Sequence, residues 1–248
     1  MKYKSINHLL LSLFVLMNYT VSAQSVRTAA YTVDICIYGA SSAGVVAAYA
    51  AAKCGNSVIL IEPGKMIGGL TTGGLGKTDA GIKEAITGLS LRFYQQVAQK
   101  YGLSSGEQWT FEPRIAQEVM QDYIREGKVT LLMETQLSKV KKEGTVIRSV
   151  KLKDARDGSA VSITAKQFLD CTYEGDLMAM SGVSYFVGRE DNSVYNETLN
   201  GFQLPEYHKQ SGYHQFPDGV SPYKIPGDPS SGLVWGITKH KTEPAGPG

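Results

Sequence analysis

Cysteine is scarce in this chain, with three among 248 residues. An odd number cannot pair completely and no two stand in a CxxC spacing, so neither a disulfide scaffold nor a dithiol relay is expected. An excess of one charge is also missing. Lys plus Arg number 25 against 23 Asp plus Glu, and a net charge of +2 gives no electrostatic case for a nucleic-acid or other polyanionic partner. The histidines, among them His208, His214 and His240, show no HExxH spacing, and no metal site is read from them. Internal repeats and low-complexity tracts are absent. What remains is 42% hydrophobic and 19% charged, an ordinary globular composition long enough to bury a core.

The first 23 residues stand apart. Lys2 and Lys4 form a short positive region, Leu9 to Met17 is an almost unbroken apolar run, and Val21-Ser22-Ala23 places small residues ahead of Gln24. This is the layout of a secretory signal peptide over residues 1–23, and its apolar run is short of the ~20 residues that span a bilayer. No Cys follows the expected cut, so no lipid anchor is indicated. No twin arginine precedes it, which suggests export unfolded and cofactor loading afterwards. The mature chain then balances 23 bases against 23 acids. It is expected to be soluble, without a membrane span, and periplasmic or extracellular.

Thr32 to Tyr38 reads as a buried strand because β-branched residues dominate and Gly39 ends it. Val45 to Lys53 is Ala-rich and helix-favouring, with Gly55 just beyond its end. Ser57 to Ile61 is a short apolar run of the kind that is covered on both faces. Together they make a βαβ unit. From Gly64 to Gly81 there are 7 glycines in 18 residues, a segment that brings backbone close to something else. Helices are expected near Ile86 to Tyr101 and from Pro113 to Glu126, with Pro113 at the first helical position and Trp109 and Phe111 between them as core anchors. Val129 to Met133 reads as a further parallel strand. Leu137 to Lys142, Thr145 to Lys153 and Val161 to Ala165 form a β-meander with turns at Glu143-Gly144 and Asp157-Gly158, and Phe168 to Cys171 returns as a separate strand. Beyond about residue 185 the chain turns loop-rich, with seven of the nine prolines after residue 200.

The chemistry centres on Gly39-Ala40-Ser41-Ser42-Ala43-Gly44, between strand and helix. A dinucleotide fingerprint G-x-G-x-x-G needs a tight turn, a close pyrophosphate approach and close helix–strand packing. Gly39 and Gly44 fill the first and third places. Ser41 fills the second, where it crowds a phosphate slightly and its hydroxyl could donate to it. The helix start supplies aligned amides for a diphosphate. Glu62 ends the second strand 23 residues after Gly39, where a carboxylate accepts hydrogen bonds from a ribose diol and repels a 2′-phosphate, which disfavours NADP. A rival reading takes Gly39 to Ala43 as a nucleophile elbow with Ser41 as a hydrolase nucleophile. That elbow needs earlier strands and an upstream oxyanion loop, yet few mature residues precede Gly39, and Ala43 stands where it needs glycine.

With Tyr38 to Gly44, Ile61-Glu62-Pro63, Gly68-Gly69-Leu70-Thr71-Thr72-Gly73-Gly74-Leu75-Gly76-Lys77-Thr78-Asp79 and Asp170-Cys171-Thr172-Tyr173-Glu174-Gly175-Asp176-Leu177-Met178-Ala179 in view, the chain resembles the exported FAD-dependent oxidoreductases related to the fumarate reductase and glutathione reductase flavoproteins. Phe111-Glu112-Pro113 and Val187-Gly188-Arg189-Glu190 are also similar, with Arg114 where relatives are expected to carry histidine. The resemblance covers roughly Tyr31 to Glu190. It implies a Rossmann-type α/β FAD-binding domain over residues 24–184, with a parallel sheet and a β-meander crossover, then a loop-rich partial substrate or cap region over 185–248. It implies FAD contacts from Gly39, Ala40, Ser41, Ser42, Ala43, Gly44, Glu62, Gly68, Gly69, Leu70, Thr71, Thr72 and Gly74. Leu137 is implied as a backbone neighbour of adenine, and Thr172, Gly175 and Asp176 as contacts of the returning strand. Members of this family are longer and a later segment completes the flavin pocket, so the resemblance implies a truncated form.

The expected function is FAD-dependent hydride or electron transfer on a small-molecule or carbohydrate substrate, with no catalytic acid or base assigned. Two further classes stay open: a non-catalytic nucleotide-binding module and a polysaccharide-active lyase. Cys36 and Cys54 read as packing residues, and redox work is conceivable for Cys171. Tyr173, Glu174 and Asp176 could face the flavin. The late aromatics Tyr195, Phe202, Tyr207, Tyr213, Phe216, Tyr223 and Trp235 read as the core of a loop domain before a sugar-stacking surface.

Overall fold

The computed structural model describes residues 28–188, 190–197 and 220–235. The leader, Arg189, Phe202, Tyr207, His208, Tyr213, His214, Phe216 and His240 lie outside those residues. Chain contacts divide into two units, Met1–Val183 and Ser184–Gly248.

In the first unit, β1 (Thr28–Tyr38) runs parallel to β2 (Val58–Ile61) on one side and to β6 (Ala160–Asp170) on the other, while β3 (Thr130–Leu132) runs parallel to β2. Two antiparallel strands, β5 (Val146–Asp154) and β4 (Thr135–Glu143), extend the sheet from β6. The order is β3-β2-β1-β6-β5-β4. This is an α/β fold of Rossmann type with a mainly parallel sheet.

The inner strands are apolar on both faces because both faces are covered. Ile37, Val58 and Leu60 join one core; Cys36, Tyr38, Ile59 and Ile61 join the other. All four β2 residues are buried, each worth roughly 1.5–3 kcal/mol gross, which lets so short a strand hold the sheet interior. Three helices cover the first face: α1 (Ser42–Lys53), α2 (Gly88–Lys100) and α3 (Pro113–Gly127). In α3, Ile115, Ala116, Val119, Met120 and Tyr123 make a buried stripe at helical spacing, and Pro113 opens the helix where its missing N–H costs nothing. Phe111 is buried as an anchor beside Phe93, and half-buried Trp109 lies on Tyr94 at 4.2 Å between ring centroids. The second core takes Val150, Leu152, Val161 and Ile163 from the sheet and Leu177 from the short α4 (Asp176–Met180).

The expected separate strands Val161–Ala165 and Phe168–Cys171 are one strand, β6. Its first half pairs with both β5 and β1, up to Ser149↔Thr164, and its second half pairs with β1 alone. Lys166 and Gln167 break the apolar pattern because they are exposed where β5 has left. Lys166 also pairs with Asp34 of β1 at 2.7 Å, and that contact with the Ser57 hydrogen bonds holds the Asp34 carboxyl well below the usual carboxylate range. The meander is the crossover from β3 to β6 and is continuous with the main sheet through the first half of β6. β1 begins at Thr28, four residues earlier than the apolar run, because β6 pairs with it from Ala160 onward.

In the second unit the described residues hold a short helix, α5 (Asn192–Tyr195), and a hairpin of β7 (Tyr223–Ile225) and β8 (Asp228–Leu233). Tyr195 and Trp235 are exposed, Trp235 at 97%, so neither packs a core; Tyr223 is half-buried.

Candidate functional site

The β1–α1 turn is built by close approach. Gly39 has φ +95°, and a Cβ there would lie 2.7 Å from the backbone of Cys171 and Thr172. Gly44, on the first turn of α1, faces the Gly39 carbonyl so closely that a Cβ would sit about 1 Å inside the 3.0 Å that real Cβ atoms keep. The two glycines therefore let the helix start, the turn and the end of β6 stack without side chains between them, as a dinucleotide turn requires.

Ser41 caps α1. Its Oγ accepts from the Gly44 amide at 3.4 Å and donates to the Cys171 carbonyl at 2.7 Å. The expected donation to a phosphate is corrected: the single hydroxyl proton is held by Cys171, tying turn to β6. Ser42 Oγ donates to the Gly68 carbonyl at 2.8 Å, so at its 2.6 Å contact with Thr71 Oγ1 the threonine is the donor. Ala40 is buried; its amide donates to Glu62 and its carbonyl accepts from the Gly68 amide at 2.7 Å. Ala43 is exposed at the start of the helix.

Glu62 joins two turns. One carboxylate oxygen accepts from the Ala40 amide at 2.8 Å and the other from the Gly64 amide at 2.6 Å. Each oxygen keeps acceptor capacity beyond its one protein donor, which is what a vicinal diol needs. The glycine segment beyond it is anchored rather than loose. Gly68 is tied to Ala40, Thr72 Oγ1 donates to the Ile67 carbonyl at 2.5 Å, and the Gly76 carbonyl accepts from the Phe111 amide at 2.7 Å. Between these points Gly69–Thr71 forms one 3-10 turn, Leu70 is exposed, and Gly74 (φ +126°) has open space around it.

The end of β6 forms the opposite wall. Asp170 accepts from the amide and hydroxyl of Thr172 and from the Met178 amide; Thr172 Oγ1 in turn accepts from the Gly175 and Asp176 amides at 3.0 Å. Gly175 takes φ +73°. The Asp-x-Thr spacing at Asp170 and Thr172 is the signal in the sequence that marks this turn. Gly39, Ser41, Glu62, Gly69, Thr172 and Asp176 line one cleft of about 150 Å³, together with Pro63, Met66, Cys171, Tyr173 and Glu174. Pockets that enclose a whole drug-sized ligand run to about 300–1,000 Å³, so this cleft holds at most part of a dinucleotide. Its ionisable lining includes Glu62, Glu174 and Asp176 and no lysine or arginine. A diphosphate here would have to be met by the first amides of α1, which lack i−4 partners, and not by a side-chain cation.

Other candidate residues fall elsewhere. Leu137 is outside the cleft: its amide donates to the Tyr38 hydroxyl at 3.0 Å and its side chain packs on the second core. Arg114 is exposed and pairs with Glu118 at 2.5 Å. Cys54, expected to pack, is exposed at the end of α1. Burial pushes the Cys36 thiol up to about 12, and burial, then the Asp170 carboxylate, raises that of Cys171. Because thiolate is the nucleophile, iodoacetamide at pH 8 should label Cys54 rapidly and the other two slowly, one fast equivalent by mass spectrometry. Rapid labelling of Cys171 would show an ionised, redox-capable thiol instead. Among the described residues there is no group of three or more His, Cys, Asp and Glu placed to hold a metal, and no helix long and apolar enough to cross a membrane.

A βαβ turn closed by Gly39 and Gly44, an acid at the end of β2 and the returning β6 turn, all at one cleft, define a dinucleotide-binding fold. The chain belongs to the family described as FAD dependent oxidoreductase, which matches residues 34–231, and FAD is its cofactor. The residues present fit that group: Glu62 keeps acceptor capacity for ribose hydroxyls, and the first amides of α1 lack i−4 partners. Among solved structures the chain is similar to a flavoprotein/dehydrogenase from Cytophaga hutchinsonii (19% identity, TM-score 0.47, covering 64% of this chain and 44% of that one). It is similar also to a geranylgeranyl bacteriochlorophyll reductase-like protein from Thermoplasma acidophilum (16%, 0.45, 65% and 45%). A third is the glycerol-3-phosphate dehydrogenase from Bacillus halodurans complexed with FAD (16%, 0.45, 60% and 36%). The chain spans less than half the length of each. No curated protein matches it.

Proposed function

We propose that this chain is the FAD-binding portion of an exported oxidoreductase acting on a small-molecule or carbohydrate substrate. The observation that carries the reading is the convergence of Gly39, Glu62 and Asp176 on one cleft within a chain of this family. In this reading residues 24–184 hold the cofactor and 185–248 begin a substrate or cap region. The leader pattern of Lys2, Lys4 and Leu9 to Met17 supports export.

Each group has a stated task. The first amides of α1, around Ser42 and Ala43, face the diphosphate, and Glu62 accepts the hydroxyls of the adenosine ribose. The Gly68 to Gly74 segment passes beside the diphosphate, with the Ser42 and Thr71 hydroxyls holding it against α1. Asp176 accepts a ribityl hydroxyl, while Thr172 and Gly175 shape its turn. When bound, FAD supplies the transfer of a hydride or an electron pair. Ser41 keeps its proton on the Cys171 carbonyl, which leaves it a positioning group and no nucleophile.

The test is an absorbance spectrum of the purified chain after incubation with FAD and desalting. Retained flavin bands are expected, followed by bleaching on addition of a reducing substrate from a sugar and alcohol panel. A folded chain that keeps no flavin would refute the claim that this portion binds FAD by itself. Retained flavin that no substrate reduces would leave a nucleotide-binding module.

A further inference from the structure

We infer that Tyr173 is a positioning residue of this cleft: a strut that stands on the β6 turn and fixes the glycine segment by holding the Leu70 amide. The inference rests on the reading of the cleft as the flavin site.

Four observations carry it. The Tyr173 hydroxyl accepts from the Leu70 N–H at 2.7 Å, across 103 residues of sequence. That amide belongs to the 3-10 turn Gly69–Thr71, whose leading N–H groups have no partner within the turn. The Tyr173 hydroxyl also lies where a Gly69 Cβ would stand, well inside the 3.0 Å limit, so the second glycine of the doublet is required by the strut. The base of the strut is rigid, because Asp170 and Thr172 between them take up the amides of Thr172, Gly175, Asp176 and Met178.

A surface tyrosine that merely found the nearest amide would need none of this. Tyr173 is 62% exposed and lines the cleft that Glu62 also lines, and its hydroxyl oxygen accepts from the Leu70 amide. Gly68 and Thr72 are anchored to Ala40 and Ile67, and Thr71 Oγ1 to Ser42 at the start of α1. The Leu70 bond is what links the turn between them to the end of β6. With it made, the cleft has a set width before any ligand arrives, and the ligand bears less of the ordering cost.

Tyr173→Phe keeps the ring and removes the acceptor; Tyr173→Ala removes both. Amide hydrogen exchange of the flavin-free chain reads the strut directly. The Leu70 amide should exchange about fivefold faster or more in Tyr173→Phe, the size of one ordinary hydrogen bond, with core amides of β1 and β2 unchanged. FAD affinity, followed by quenching of flavin fluorescence, should fall about fivefold in Tyr173→Phe and further in Tyr173→Ala. Unchanged Leu70 exchange in Tyr173→Phe would overturn the strut whatever FAD does. Faster exchange with unchanged FAD affinity would overturn its role in positioning the site. Failure of the unsubstituted chain to bind FAD would overturn the flavin reading, and with it the role toward flavin, while the exchange result still decides the strut.

Discussion

Gly44→Ala should lower the stability of the chain by about 3 kcal/mol and abolish retention of flavin. The sign is the informative part. Within a helix, alanine is ordinarily better than glycine by about 1 kcal/mol, so propensity alone predicts a gain. Here the added methyl meets the Gly39 carbonyl oxygen about 1 Å inside the closest real approach, and the Cys171 Cβ stands at 3.2 Å behind it. The first obstacle is turn backbone and the second is fixed to the end of β6, and a backbone carbonyl cannot swing aside as a side-chain end can. The helix must therefore lift from β1, at the upper end of the 1–3 kcal/mol seen for overpacking. For a domain of this size that is a fall in Tm of about 6–12 °C. Gly127→Ala at the end of α3 is the control. Its methyl would meet the Val129 Cγ2 at 3.1 Å, a side-chain atom able to turn away, so a change within about 1 kcal/mol is expected. Equal melting temperatures for Gly44→Ala and the parent chain would mean that α1 does not approach the turn as described.

That contrast also marks what could be read from sequence. Gly39 and Gly44 were legible because the reason for glycine at those places is generic: a positive φ and a close crossing at the start of a βαβ unit. Glu62 was legible by its distance along the chain from Gly39. The strand β2 and the helix α3 announced themselves through continuous and 3.6-residue apolar patterns. The join within β6 was not legible, because Lys166 and Gln167 look like a turn when the partner of Lys166, Asp34, is 132 residues away. The tie of Leu137 was not legible for a related reason. Nothing near it in sequence tells that the Tyr38 hydroxyl, 99 residues earlier, takes its amide. In sequence Tyr173 is legible only as a residue able to face the flavin, since the Leu70 amide that fixes its hydroxyl lies 103 residues earlier. These three rest on long-range hydrogen bonds or ion pairs, which periodicity and local spacing do not encode.

Glu62 carries the other large effect, because it serves the fold and the ligand with the same two oxygens. Glu62→Ala leaves the Ala40 and Gly64 amides without their acceptor. Bonds to a charged acceptor contribute about 1.5–3 kcal/mol each, but the half-buried position lets water replace part of that, so a loss of about 2 kcal/mol in urea unfolding is expected. FAD affinity should fall at least about 100-fold, as both ribose hydroxyls lose a charged acceptor. Glu62→Gln separates charge from shape. It retains one carbonyl acceptor but sets an NH2 group against one of the two amides, so about 1 kcal/mol of stability and roughly tenfold in affinity should go. The charge itself is read with a competitor. Against the parent chain, ADP-ribose should compete with FAD far better than its 2′-phosphorylated form, since Glu62 repels the added phosphate. In Glu62→Gln that preference should shrink several-fold even though every ligand binds more weakly, a direction that general damage to the site would not produce. A preference that survives the substitution intact would move the ribose away from Glu62 and leave its carboxylate a purely structural clasp between the Ala40 and Gly64 turns.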